Sequence, residues 1–182
     1  MIFLKTFLLA GLTLGISCCD SAESPVFDFQ QNAQRDLIDD NIEFVNLNQK
    51  YRELSHVAYE EVTSVLDSEG INRSGCQTSS SVRVKVIVKS HAEINKMREQ
   101  GIWGFALADA GTISGFFEWS QSEKGNNRMY LAHNGTKPLD ELFIHEYTHA
   151  YFLANCILEN NNLLPAQEEV YAEIIRKNYI TK

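Results

Sequence analysis

The 182-residue sequence predicts an α+β fold with N-terminal helices, a small mixed twisted sheet and two C-terminal helices. Apolar residues recur mostly at steps of three and four in residues 36–66, and Pro138 and Pro165 open two later helical segments. Between these segments, valine or aromatic residues alternate with polar ones in short runs, as they do in half-buried strands. A hydrophobic content of 44% and a charged content of 22% are ordinary for one soluble domain.

The first seventeen residues have the pattern of a signal peptide. Lys5 precedes the apolar residues 6–16, which are too few to span a bilayer as a helix. Cys18 follows as in a bacterial lipoprotein box, which predicts that it is lipidated and becomes the first mature residue. Simple cleavage near Ala22 is the alternative. Both readings predict export, as a periplasmic or membrane-anchored lipoprotein of a bacterium or as a secreted protein.

The remaining chain divides into a tether and one domain. Residues 18–34 are polar, contain Pro25 and show no period, so we expect a loose tether. Residues 35–182 then form a single domain. Its first element is one long or two shorter amphipathic helices within residues 36–66, which stop near Gly70 and serve as core scaffold.

The middle of the domain predicts the sheet. Residues 81–88 alternate valine with arginine and lysine before an apolar end, which indicates a strand with one face more exposed to solvent. A short helix is expected at residues 92–100. Further strands, separated by glycine and by a polar turn, are expected at residues 103–108, 112–119 and 128–132. The last two helices then run from Pro138 to about residue 158 and from Pro165 to about residue 177.

The formal charge of −8 at pH 7 argues against one class of function. Proteins that bind nucleic acids cluster lysine and arginine to neutralise phosphates, and this sequence has no such run. We therefore expect no nucleic-acid partner. The acidity by itself indicates solubility rather than a cationic substrate, and we expect a monomer.

The four cysteines fall into two pairs. Cys18 and Cys19 belong to the signal segment, whereas an oxidising compartment favours a disulfide between Cys76 and Cys156 of the mature domain. Metal binding by Cys156 is excluded by distance. It lies seven residues after His149, which is roughly 10 Å along a helix at about 1.5 Å per residue.

The segment His145-Glu146-Tyr147-Thr148-His149 is the strongest candidate site. Two histidines four apart on a helix project from one face and can bind one tetrahedral zinc ion. Glu146 can reach a water on that zinc without being a ligand, which is the arrangement of a metallopeptidase base. The zinc lowers the pKa of the water towards about 7, and the carboxylate accepts the proton and passes it to the leaving amine.

Only a glutamate can complete this site from downstream, because no histidine or aspartate follows His149. Glu159 comes too soon, on the tail of the same helix. Glu169 follows twenty residues after His149, which allows a turn and a second helix to return, and it is the expected third ligand, with Glu168 as the alternative. Glu173, one turn further on, is expected to accept the free N–H of a ligating histidine.

Two segments of the chain resemble those of a known family. Residues 143–150 (FIHEYTHA) and 164–173 (LPAQEEVYAE) look like the gluzincins, the thermolysin clan of peptidase MA type, and above all its small single-domain members. The upstream order of elements is also similar, so the resemblance covers roughly residues 45–177. It implies a zincin-like fold with an HExxH helix and a C-terminal glutamate-bearing helix. It also implies a zinc metallopeptidase that hydrolyses peptide bonds in peptide or protein substrates.

The resemblance implies two further parts of the site. One is a strand that binds the extended substrate backbone by strand addition, for which residues 113–119 or 128–132 are candidates. The other is an oxyanion stabiliser, for which Tyr171, Tyr179 and His133 are candidates. The alternative function is a non-catalytic zinc-binding lipoprotein with a zincin-like fold. Such a protein would bind the metal without turnover, beneath a closed pocket.

Overall fold

The computed structural model describes residues 35–39, 41–45, 47–76, 81–100, 114–119 and 127–182. The predicted signal peptide and tether, including Cys18, lie outside these residues, and so does the strand expected at 103–108. Within the described part of the chain, no helix is both long enough and apolar enough to cross a membrane.

The described residues contain five strands that form one mixed sheet. They are β1 (Arg35–Asp39), β2 (Ile42–Val45), β3 (Val82–Ser90), β4 (Gly115–Glu118) and β5 (Asn127–His133). Their order is β1-β2-β3-β5-β4, with β2, β3 and β5 parallel and each edge strand antiparallel to its neighbour. The expected small mixed sheet is confirmed, and the strands expected at 81–88, 112–119 and 128–132 correspond to β3, β4 and β5.

Five helices complete the described fold. They are α1 (Gln49–Ser68), α2 (His91–Glu99), α3 (Leu139–Ala154), α4 (Ile157–Asn161) and α5 (Pro165–Ile180). The helices expected at 92–100 and 165–177 are confirmed. The helix expected to reach residue 158 ends earlier, because Cys156 takes a left-handed backbone conformation with a φ of 50°. The chain restarts after it as the short helix α4.

The prediction of a helix from residue 36 is wrong over its first part, where the chain forms β1 and β2 instead. Ile42 and Phe44 of β2 are fully buried, and this strand pairs in parallel with β3. Pairing and burial in the sheet therefore outweigh the spacing that suggested a helix. Helix α1 begins only after Asn48, whose side-chain oxygen accepts a hydrogen bond of 3.0 Å from the backbone N–H of Tyr51.

Helix α3 is the central helix and contacts the sheet, α1 and α5. On its inner face Phe143 and Tyr147 are fully buried, and the centroid of each ring lies 6.0 Å from that of Phe44 on β2. Burial of such a ring stabilises a fold by roughly 1.5–3 kcal/mol, so a rotation of α3 about its axis is strongly disfavoured. His145 and His149, on the other side of the helix, are thereby held facing α5.

Candidate metal centre

Helix α3 holds two imidazole rings side by side. His145 and His149 are one turn apart, their ring centroids are 5.2 Å apart and their Nε2 atoms are 3.4 Å apart. Both side chains are largely buried, with 12% and 17% of their surface exposed. The structure therefore brings the two predicted ligands together, as their spacing on a helix requires.

Glu169, in the second turn of α5, brings a carboxylate to both rings. Its Oε1 lies 3.3 Å from Nε2 of His145, and its Oε2 lies 3.4 Å from Nε2 of His149. Among the described residues, these three form the one group of histidine, cysteine and carboxylate side chains whose donor atoms could hold a metal ion.

The separations between these donor atoms match those around a tetrahedral zinc ion. Nitrogen and oxygen ligands lie about 2.0–2.2 Å from zinc, and the edge of a tetrahedron is about 1.63 times the bond, or roughly 3.3–3.6 Å. The two Nε2 atoms are 3.4 Å apart, and they lie 3.3 and 3.4 Å from the two different carboxylate oxygens of Glu169, with one donor atom of each residue within 4.8 Å of the others. Two imidazoles and one carboxylate are also a donor set that zinc accepts, with a fourth position left for water or a substrate. The residues present therefore fit the ion.

Glu168 faces the other nitrogen of His149. Its Oε1 lies 2.8 Å from Nδ1 of that ring, at hydrogen-bonding distance. A proton on Nδ1 leaves the lone pair of Nε2 directed towards Glu169, which is the tautomer that binds a metal. Glu168, which the sequence offered as an alternative ligand, thus occupies the orienting position that was expected of Glu173.

The carboxylates also govern the protonation of His149. Burial by itself lowers the pKa of His149, but hydrogen bonds with Glu168 and Glu169 outweigh burial and raise the pKa to about 10. Hydrogen bonds with His145 and His149 in turn hold the pKa of Glu169 far below its usual range. The site therefore favours a positive charge, whether a proton or a metal cation.

We expect the metal-free protein to lose stability as the pH rises above about 6.5. The pKa of His149 rises from 6.5 to about 10 on folding, so its contribution is complete below pH 6.5 and is lost as the pH rises through about 10. One proton changes the free energy of unfolding by at most about 1.4 kcal/mol per pH unit. Urea unfolding of chelated protein across this interval measures the slope. A slope that His149→Gln leaves unchanged would contradict the assignment.

Glu173 lies near His145 but is engaged elsewhere. Its Oε2 is 4.0 Å from Nδ1 of His145, beyond hydrogen-bonding distance, and this buried nitrogen has no hydrogen-bond partner among the described residues. Glu173 instead accepts hydrogen bonds of 2.7 and 2.9 Å from Arg176, which lower its pKa to about 2. Arg176 also donates to Glu141 of α3. This pair of contacts fixes α5, and hence Glu169, against α3.

Glu146 lies on the inner side of the site, against strand β4. Only 4% of the residue is exposed, and burial raises its pKa, although the neighbouring imidazoles lower it. A Cβ atom added to Gly115 would lie 2.5 Å from Oε1 of Glu146. The strand can therefore approach the carboxylate this closely only with glycine at position 115. The sequence analysis did not identify Gly115, although a glycine inside a strand pattern is a signal that could have indicated it.

The side chains of His145, Glu146, His149 and Glu169 line a pocket of about 840 Å³. Strand β4 lines one side of it, and α3 and α4 line the other. The apolar residues of its wall are Phe116, Phe117, Trp119, Leu142, Phe152, Leu153 and Leu158. A pocket of this size, with apolar walls and a few polar groups, is typical of a ligand site.

Of the two strands proposed to bind an extended ligand, only β4 offers an edge among the described residues. Strand β5, which contains residues 128–132, pairs with β3 on one side and with β4 on the other, so both of its edges are taken. Strand β4 pairs with β5 alone within the described part of the chain. This leaves the segment 113–119 as the candidate, although residue 113 itself lies outside the described residues.

None of the three residues proposed as oxyanion stabilisers lines this pocket. The ring of Tyr171 packs 5.8 Å from that of Phe152. The hydroxyl of Tyr179 donates to Asp140 at 3.1 Å. His133 ends β5, paired with the end of β3. The polar groups that line the pocket beside the site include Thr136 and Lys137.

Cys76 and Cys156 form a disulfide in the structure, in agreement with the sequence prediction, and their Cα atoms are 5.2 Å apart. The bond joins the loop after α1 to the turn between α3 and α4. Since that turn follows His149 by two helical turns, the disulfide fixes the C-terminal end of the helix that carries the site.

Comparisons of the chain with protein-family models, with curated proteins and with solved structures found no match. The chemistry of the site therefore follows from its own residues. A donor set that fits zinc, a buried carboxylate beside it and a large pocket are the parts needed to activate water against a bound carbonyl group.

Proposed function

We propose that this protein is an exported zinc metallopeptidase of the gluzincin type, which hydrolyses peptide bonds in a peptide or protein substrate. The observation that carries the proposal is the triad of His145, His149 and Glu169. One donor atom from each of these residues lies within 4.8 Å of the others, close enough for one zinc ion, next to the buried carboxylate of Glu146.

Each residue of the site has a role in this reaction. When bound, zinc supplies Lewis acidity and lowers the pKa of water towards about 7. Glu146 accepts the proton of the attacking water and passes it to the nitrogen of the leaving amine. Burial favours this transfer, because it raises the pKa of the carboxyl group and so lets Glu146 hold the proton between the two steps. Glu168 keeps the ring of His149 in its metal-binding tautomer.

Strand β4 supports a role for the pocket in binding an extended peptide. Its outer edge is not paired by any described residue, and it borders the pocket next to Glu146. A substrate backbone added to this edge would form main-chain hydrogen bonds while its side chains enter the pocket. Binding of this kind holds the scissile bond near the base without the need for a particular sequence.

We expect Gly115→Ala to reduce hydrolysis by up to about 100-fold while zinc remains bound, because the added methyl group displaces the carboxylate of Glu146. Peptide hydrolysis and zinc content measured on the same preparation test this. Gly75→Ala is the matched control, since a Cβ there lies 3.4 Å from its neighbour, at ordinary contact distance. Full activity in Gly115→Ala would mean that the position of Glu146 does not limit the reaction.

The alternative function, a non-catalytic zinc-binding lipoprotein, draws support from one observation. Tyr171, Tyr179 and His133 do not line the pocket, so none of the expected oxyanion stabilisers is among the described residues that do. Against it stands the pocket of about 840 Å³, because a purely structural zinc site is expected to be closed. We therefore favour the peptidase.

Removal of the metal distinguishes the metallopeptidase from the non-catalytic zinc-binding protein. We expect the purified protein to contain one equivalent of zinc and to cleave members of a mixed peptide library. Treatment with dipicolinate should abolish cleavage, and added zinc should restore it. Cleavage that persists after zinc is removed would contradict the proposal. One equivalent of zinc with no cleavage of any peptide would establish the alternative.

A further inference from the structure

The pocket contains one carboxylate that the site does not use. Four glutamates line the pocket, and three of them are engaged at the centre: Glu146 beside the imidazoles, and Glu168 and Glu169 against them. The fourth, Glu159 on α4, has no ion pair or side-chain hydrogen bond with any described residue. The pocket's lysine, Lys137, faces Glu173 at 3.9 Å instead.

Helix α4, which carries Glu159, is held in place by contacts with the loop that follows α1. Cys156, at its start, is bonded to Cys76. The side-chain amide of Asn160 donates to the backbone carbonyl of Ser74, and the side chain of Asn161 bonds both backbone polar groups of Asn72. These contacts hold α4 on the loop that follows α1. The backbone of α4 is thus held in place, and Glu159, an exposed residue of this helix, lines the pocket.

The surroundings of Glu159 suit a charged group on an aliphatic stem. Phe152, Leu153 and Leu158 form the neighbouring wall of the pocket. The methylene groups of lysine or arginine can lie on such a wall while the charged end reaches a carboxylate.

We propose that Glu159 is a specificity-determining residue that binds a lysine or arginine side chain of the substrate in the pocket that also contains Glu146. The inference rests on the proposed peptidase function and names its substrate class. It depends on one carboxylate in the pocket and not on the net charge of the chain.

Peptides that differ only in charge at one position test the proposal. Both ends are capped, and one position carries arginine or citrulline, which has nearly the same shape but no charge. We expect kcat/KM for the arginine peptide to exceed that for the citrulline peptide by about tenfold, as for a charge-assisted hydrogen bond at an exposed carboxylate. In Glu159→Gln this ratio should fall to about one. Glu60→Gln, at an exposed position on α1, is the matched control and should keep the ratio.

A binding measurement separates failure of this inference from failure of the peptidase proposal. Zinc-loaded Glu146→Gln protein is titrated with fluorescent versions of the two peptides, with and without Glu159→Gln. Preference for arginine that disappears with Glu159→Gln supports the inference even if the unaltered protein cleaves neither peptide. Equal binding of both peptides, or a preference that survives Glu159→Gln, overturns it.

Discussion

Replacement of Glu146 by glutamine is expected to reduce peptide hydrolysis by about 10²- to 10⁴-fold while one zinc ion stays bound. Glutamine has almost the same shape as glutamate, so it fits the buried site against Gly115, but it cannot accept the proton of the attacking water. The loss should appear in kcat, since Glu146 acts on the reacting atoms and not on the metal. Steady-state kinetics and zinc analysis on the same preparation measure both effects.

The control for this variant is Glu60→Gln, which makes the same chemical change at an exposed position of α1. It should keep full activity and the same zinc content. Activity of Glu146→Gln within a few-fold of the unaltered protein would remove Glu146 from the mechanism. Loss of zinc from Glu146→Gln would mean that this residue serves the metal directly.

Replacement of Glu169 by alanine is expected to weaken zinc binding by more than about 100-fold. Loss of an orienting partner behind a ligand typically costs 10- to 100-fold in metal affinity, and loss of the ligand itself should cost more. Glu168→Ala should therefore have the smaller effect, within about 10- to 100-fold, because Glu168 contacts Nδ1 of His149 and not the metal-facing nitrogen. Competition with a chromogenic chelator gives both affinities.

The order of these two effects decides which glutamate is the ligand. If Glu168→Ala weakens zinc binding more than Glu169→Ala, the assignment is reversed. Both residues lie on the surface-facing first turns of α5, and neither belongs to the buried core, so both variants should keep the fold. Thermal unfolding of the chelated proteins provides that check.

The sequence was sufficient for the parts of the site that depend on local geometry. The helical period alone requires that His145 and His149 share a face, whatever surrounds them. Elimination left only glutamates as the downstream ligand, and the distance along the chain favoured Glu169, with Glu168 as the alternative. The strand β3 was readable because its valines alternate with charged residues, as in a half-buried strand.

The parts that could not be read depend on contacts between distant segments. The residues before Asn48 were read as part of a helical pattern, whereas their parallel pairing with β3 makes Ile42–Val45 a strand. Glu173 does not orient a histidine as expected, because it accepts hydrogen bonds from Arg176, one turn further on. Arg176 also donates to Glu141 of α3. A contact of this kind between two helices cannot be predicted from the spacing of residues along the chain.

Strand β4 illustrates the same limit at the site itself. Its four residues show a strand pattern, but the sequence alone could not distinguish this strand from residues 128–132 as the edge that binds the substrate. The order of strands in the sheet distinguishes them, because β5 lies between β3 and β4. The contact between Gly115 and Glu146 follows from the same arrangement.

Diffraction from crystals of the zinc-loaded protein, recorded at the zinc absorption edge, tests the central claim most directly. The anomalous signal locates the metal independently of the protein coordinates. We predict one zinc ion at about 2.0–2.2 Å from Nε2 of His145, Nε2 of His149 and an oxygen of Glu169. A zinc ion held by Glu168 instead, or found away from the two histidines, would contradict the account.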